Sequence, residues 1–139
     1  MVDLTVTKTI AASVDAVWGV LDDFGNMEWV PGADNVEVIG EGVGMTRRLH
    51  IPGLDTPIDE ILSAKDVAAK TFSYTIPKND VIPFDDYKAN IAVTGDASSA
   101  TVNWNCTFDE GGMAENDAKA MISGSYENVL NALAAKLEA

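Results

Sequence analysis

The strongest constraint in this chain is a run of six strand-like segments, 35 to 40, 44 to 51, 57 to 64, 70 to 76, 86 to 94 and 100 to 108. Each alternates apolar and polar residues, and clusters of Gly, Pro, Asn and Asp separate them. Parallel pairing needs a crossover of a dozen or more residues, so connections this short dictate an antiparallel meander. Behind the meander, apolar residues at Ala118, Met121, Ile122, Val129, Leu130, Leu133 and Leu137 recur at threes and fours. That spacing predicts one amphipathic helix over 114–137, with Glu115 and Asp117 at its start and Lys136 near its end, as the helix dipole prefers. Gly124 interrupts the helix and reads as a point of close packing on the sheet.

Ahead of the meander, Leu4, Val6 and Ile10 interleave with Thr5, Thr7 and Thr9 as a strand with one wet face. Ser13 is placed to cap a short helix carrying Val14, Val17, Trp18 and Leu21, and 24–32 reads as a second short helix stopped by Pro31. The expected fold class is α+β: a curved seven-stranded antiparallel sheet wrapped around a long C-terminal helix, with two short helices after the first strand. At 139 residues, this is a single domain spanning 1–139.

Composition narrows the partners. Nine Lys+Arg against 22 Asp+Glu give a net charge of −13, which repels phosphate backbones and anionic lipid surfaces. Neither nucleic acid nor stable membrane association is expected. The first residues lack a charged start followed by an apolar run, which points to a cytoplasmic protein. One cysteine, Cys106, and one histidine, His50, supply neither an internal disulfide nor a Cys/His zinc site. No calcium loop, nucleophile elbow or dinucleotide-binding loop occurs, so no metal and no cofactor is expected. Gly40-Glu41-Gly42-Val43-Gly44 precedes a strand and reads as a hairpin turn.

Parity along the strands sorts inward from outward side chains. The inward sets are Met45, Arg47, Leu49 and Ile51; Ile58, Glu60 and Leu62; Phe72, Tyr74 and Ile76; Tyr87, Ala89, Ile91 and Val93; and Val102, Trp104, Cys106 and Phe108. Two charged residues, Arg47 and Glu60, interrupt these apolar rows. A turn around Gly53-Leu54-Asp55 that pairs Ile51 with Ile58 sets Leu49 opposite Glu60 and Arg47 diagonal to it, in reach of an ion pair. His50 falls on the outward face, which argues against a catalytic base, and Cys106 reads as a small buried hydrophobe.

The order of elements resembles the helix-grip, START-related superfamily, and most closely its polyketide cyclase/dehydrase-like branch. The resemblance is carried by Ser13-Val14-Asp15-Ala16-Val17-Trp18, Trp29-Val30-Pro31-Gly32, Gly44-Met45-Thr46-Arg47-Arg48-Leu49, Glu60-Ile61-Leu62 and Val102-Asn103-Trp104. It implies that a hydrophobic small molecule is buried between sheet and long helix. Locally, Gly44-Met45-Thr46-Arg47 with Pro52-Gly53-Leu54, Glu60 and Asp86-Tyr87-Lys88-Ala89 are similar to the gate and pocket of the plant abscisic acid receptors. This implies a gated pocket. The gate here reads Pro52-Gly53-Leu54-Asp55-Thr56 instead of Ser-Gly-Leu-Pro-Ala, and no lysine stands ready for a ligand carboxylate, which argues against abscisic acid itself.

The candidate ligand contacts are Arg47, Leu49, Ile51, Leu54, Ile58, Glu60, Phe72, Tyr74, Tyr87, Ala89 and Trp104, with Met121, Ser125 and Val129 from the helix; the segments 52–57 and 77–84 would act as lids. Two readings stand. One is a binding protein for an apolar metabolite, of polyketide, lipid or hormone type. The other is a cyclase or dehydratase in which Glu60 abstracts a proton alpha to a carbonyl and Tyr74, Tyr87 or Arg47 stabilises the enolate. The second requires Glu60 to lack a tight Arg47 partner. A filled core serving only as an interaction module is the third, weaker option.

Overall fold

Alternating apolar residues produce strands at each expected place, because a half-buried strand presents every second side chain to one face. The structure, a computed structural model, describes residues 1–33, 35–50, 53, 55–79, 82 and 84–138. In chain order these form β1 (Val2–Ile10), α1 (Val14–Asp22), β2 (Val36–Ile39), β3 (Thr46–Leu49), β4 (Ile58–Asp66), β5 (Thr71–Ile76), β6 (Asp85–Gly95), β7 (Ala100–Asp109) and α2 (Glu115–Glu138). The sheet order is β1-β7-β6-β5-β4-β3-β2, with every neighbouring pair antiparallel. The meander of β2 to β7 is as expected, and β1 closes onto β7 with Val6 opposite Trp104. The helix α2 has 24 residues, about 36 Å at 1.5 Å per residue, long enough to run along the whole inner face.

The short helix α1 starts where Ser13 accepts a hydrogen bond from the Ala16 amide at 3.1 Å. Its Val17, Trp18 and Leu21 are buried. The second short helix is not found among the described residues. Instead 23–33 forms successive tight turns, with amide-to-carbonyl bonds from Asn26 to Asp23, Val30 to Met27 and Ala33 to Val30. Asn26 caps the Glu28 amide through its own side chain, a local bond that competes with helix, and Pro31 blocks continuation.

Two irregularities shape the sheet. Between Asp85 and Lys88 the β6–β7 register shifts, and Asp86 takes a left-handed φ of 54°. This bulge puts Phe84 and Tyr87, three residues apart, on the same inner face, which unbroken alternation forbids. A second shift between Leu62 and Ala64 ends the buried run of β4. Bulges bend the strand that carries them, and a bent sheet leaves space beneath a straight helix. At the β6–β7 turn, Gly95 is required: φ is 140°, and a Cβ there would lie 2.2 Å from the Ser99 carbonyl oxygen.

The core lies between sheet and helix. Ile10, Val17, Val102, Leu130 and Leu133 are all essentially inaccessible. The inward sets read from parity are buried in β4, β6 and β7, Cys106 included. Gly124 does not mark close packing: it is exposed, and a Cβ built on it meets nothing within 4 Å.

Candidate functional site

Where the bent sheet and α2 diverge lies a cavity of about 320 Å³. Leu49, Ile58, Ile76, Tyr74, Tyr87 and Trp104 form the sheet wall, and Ile122, Ser125, Tyr126 and Val129 come from the helix. The turns after α1 close one side through Met27, Val30, Pro31, Gly32 and Ala33. A ligand cavity of this volume is of ordinary size for a small molecule.

The two charged residues meet inside it. Arg47 and Glu60 are directly opposite across β3 and β4, and Leu49 is opposite Ile58. The expected pairing of Ile51 with Ile58 is thus displaced by two residues, because the loop between the strands takes in more residues than a tight turn. The face parity is kept, since the displacement is even. Arg47 donates from Nε to Glu60 Oε1 at 2.6 Å and from Nη1 to the Phe24 carbonyl at 3.0 Å. Its guanidinium carbon sits 3.9 Å from the centre of the Phe24 ring and 5.2 Å from that of Tyr74. Both charged residues are more than nine-tenths buried, so each would be costly alone and the pair satisfies that need locally. Glu60 Oε2 makes no hydrogen bond among the described residues.

Next to the pair stands a layer of aromatic donors. The Tyr87 and Tyr126 hydroxyls are hydrogen-bonded to each other, and the Tyr126 ring stacks on Trp104 with centroids 3.8 Å apart and planes 9° apart. Tyr74 lies beside Tyr87, centroids 6.4 Å apart. Burial, reinforced by each phenol's neighbours, holds both Tyr74 and Tyr87 well above the ordinary tyrosine pKa, so both keep their protons. Burial also pushes the Cys106 thiol up to about 11, leaving it a poor nucleophile. The Trp104 indole N–H comes close enough to Tyr74 to offset part of its shift, yet it is buried with no partner of hydrogen-bond geometry among the described residues. An orphaned buried N–H costs about 1–3 kcal/mol.

Of the residues expected at the site, Arg47, Leu49, Ile58, Glu60, Tyr74, Tyr87, Trp104, Ser125 and Val129 line this cavity. Phe72 is buried behind it, bordering a separate void of about 30 Å³, and Ala89 is buried in the sheet. Met121 is corrected: it is 45% exposed and outside the cavity, because its position falls one helical step away from the buried line of Ala118, Ile122 and Tyr126. Ile51 and Leu54 lie outside the described residues, as do Pro52 of the first expected lid and Asp80, Val81 and Pro83 of the second. His50 joins the rim while its imidazole Nε2 lies 3.3 Å from Glu37 Oε1, as outward parity implies.

Two parts of the site escaped sequence reading. Tyr126 was legible, since it stands four residues from both Ile122 and Leu130 on one helix face. The 27–33 wall had no such signal, because irregular turns have no period. Among the described residues no helix is long and apolar enough to cross a membrane, and no cluster of three or more His, Cys, Asp or Glu is arranged to hold a metal ion.

With this geometry in view, the whole chain can be placed. Residues 1–138 match the family described as polyketide cyclase / dehydrase and lipid transport. The chain belongs to that family. The fold recurs in an uncharacterised protein from Bacillus thuringiensis (23% identity, TM-score 0.87, covering 99% of this chain and 100% of that one). It recurs in norcoclaurine synthase from Thalictrum flavum, solved with dopamine and hydroxybenzaldehyde (19% identity, TM-score 0.77, 96% and 84%). It recurs again in the Zhui aromatase/cyclase from Streptomyces sp. R1128 (21% identity, TM-score 0.72, 99% and 93%). No curated protein sequence matches the chain. The helix-grip fold is therefore established, and it suits either hydrophobic ligand binding or cyclisation chemistry.

Proposed function

We propose that this chain is a single cytoplasmic binding domain that takes up a hydrophobic small molecule, of polyketide, lipid or hormone type, between sheet and α2. The observation that carries this reading is the Arg47–Glu60 bond at 2.6 Å inside an otherwise apolar and aromatic cavity. The two charged side chains are engaged with each other, and so stand as fixed polar groups of the wall. Shape, apolar walls and a few fixed polar groups are all that binding requires. Saturable, near-stoichiometric binding of an uncharged environment-sensitive dye is the expected result; absence of saturation with any apolar probe would overturn it. Native mass spectrometry of freshly purified protein would then name a retained ligand by mass.

A cyclase or dehydratase reading keeps one supporting observation. Glu60 Oε2 has no protein partner among the described residues and belongs to a residue that lines the cavity, with protonated phenols nearby as donors toward an enolate. In that case Glu60→Gln abolishes turnover of a polyketide-like ketone while binding persists; equal activity in the variant removes Glu60 from any mechanism.

A further inference from the structure

The polar end of the cavity has an unusual balance. Arg47 is the only Lys or Arg among the described residues that line it, and Glu60 neutralises that charge at 2.6 Å. An incoming carboxylate would arrive beside the Glu60 carboxylate with no second Lys or Arg among the described lining residues to meet it, in a site where solvent screening is weak. Neutral donors, by contrast, are in surplus. The Tyr87–Tyr126 bond consumes one hydroxyl proton of the two, leaving the other to donate, and Tyr74 stands beside Tyr87 in the same cavity wall. Phenol protons beside a closed ion pair suit an oxygen that accepts and carries no full charge.

Resting on the binding reading above, we propose that the cavity selects uncharged ligands presenting a carbonyl oxygen to the Tyr74 and Tyr87 donors, and rejects the corresponding carboxylates. The closed Arg47–Glu60 pair acts as the charge filter, and the aromatic donors act as the carbonyl seat.

The test displaces the uncharged dye N-phenyl-1-naphthylamine with three matched competitors: 2-acetylnaphthalene, 2-naphthoate and 2-ethylnaphthalene. The ketone should compete about tenfold more tightly than either the carboxylate or the hydrocarbon, the margin one well-placed hydrogen bond supplies. Tyr74→Phe should narrow the gap between ketone and hydrocarbon. Glu60→Gln should expose the Arg47 charge and tighten naphthoate binding by about tenfold or more. Near-ultraviolet circular dichroism identifies the variants that keep the packed aromatic layer, and only those are compared. If naphthoate binds the natural chain as tightly as the ketone, the charge filter is overturned while dye binding still upholds the pocket. If ketone and hydrocarbon bind alike, the carbonyl seat is overturned. If the dye never saturates, the binding reading falls and takes this proposal with it.

Discussion

Two stretches of α2 face different neighbours. Leu130, Leu133 and Ala134 are buried where α2 packs on β1 and α1, and an internal void bordered by Leu130 is about 30 Å³, roughly a single water. Ile122, Ser125, Tyr126 and Val129 border a space ten times larger. Most buried polar groups divide the same way, although the Trp18 indole N–H of α1 is also buried with no partner among the described residues. Arg47, Glu60, the tyrosine hydroxyls and the Trp104 N–H gather at the hollow, while the packed end is built from Ile10, Val17, Val102, Leu130 and Leu133. Solid packing supplies stability through apolar contact, and a hollow can keep polar groups that have something other than the protein to meet.

The comparison can be broken most directly by paired truncations. Leu133→Ala at the packed end should cost about 3–4 kcal/mol, from lost transfer energy and a new cavity, whereas Leu49→Ala on the cavity wall should cost about 1 kcal/mol or less and mainly alter dye binding. Urea unfolding measures both; equal losses would mean that the hollow is packed in solution. A second test asks whether the floor of the hollow is dry. Burial favours the neutral phenols of Tyr74 and Tyr87 in the folded state, raising their folded pKa above the unfolded value of 10.0. Their contribution is complete below pH 10 and is lost as pH climbs above it. Tyrosinate absorbance from these residues should therefore appear only together with loss of structure in an alkaline titration; smooth ionisation near pH 10 in the folded protein would show water at the floor.

A third substitution is neutral to both regions. Gly124→Ala, on the exposed side of α2, should stabilise by about 0.5–1 kcal/mol by removing glycine's conformational freedom, read as a rise in Tm without change in dye affinity. The smallest effect belongs to the outer face of the cavity wall. Arg48 donates to both oxygens of Asp59 at 2.7 and 3.1 Å and holds that carboxyl below its usual range. The contribution is present above pH 4 and fades as pH falls through the folded value, so Asp59→Asn should lower Tm slightly at pH 7 and not at about pH 2.

Much of this arrangement can be read in the chain before any coordinates. Period-two alternation located all seven strands and most of the inward set, and threes and fours located α2, because side-chain direction is a local consequence of backbone geometry. The pairing of two lone charges in apolar rows was legible for the same reason. Register was not: whether Arg47 faces Glu60 directly or diagonally depends on how many residues the loop absorbs, which no local pattern records. The turns at 23–33, where a helix was expected over 24–32, were decided by competition between Asn26's own side-chain bond and the helical ladder.

The sequence by itself determined which residues look inward and that one helix must cover them, since those follow from periods of 2 and 3.6 and from connections too short to cross over. Only the tertiary structure decided that the covering is incomplete. The bends at Asp85–Lys88 and Leu62–Ala64, the stack of Tyr126 on Trp104 and the closure of Arg47 onto Glu60 join residues far apart in the chain. A hollow is the space that such distant contacts leave between them, so no single segment encodes it.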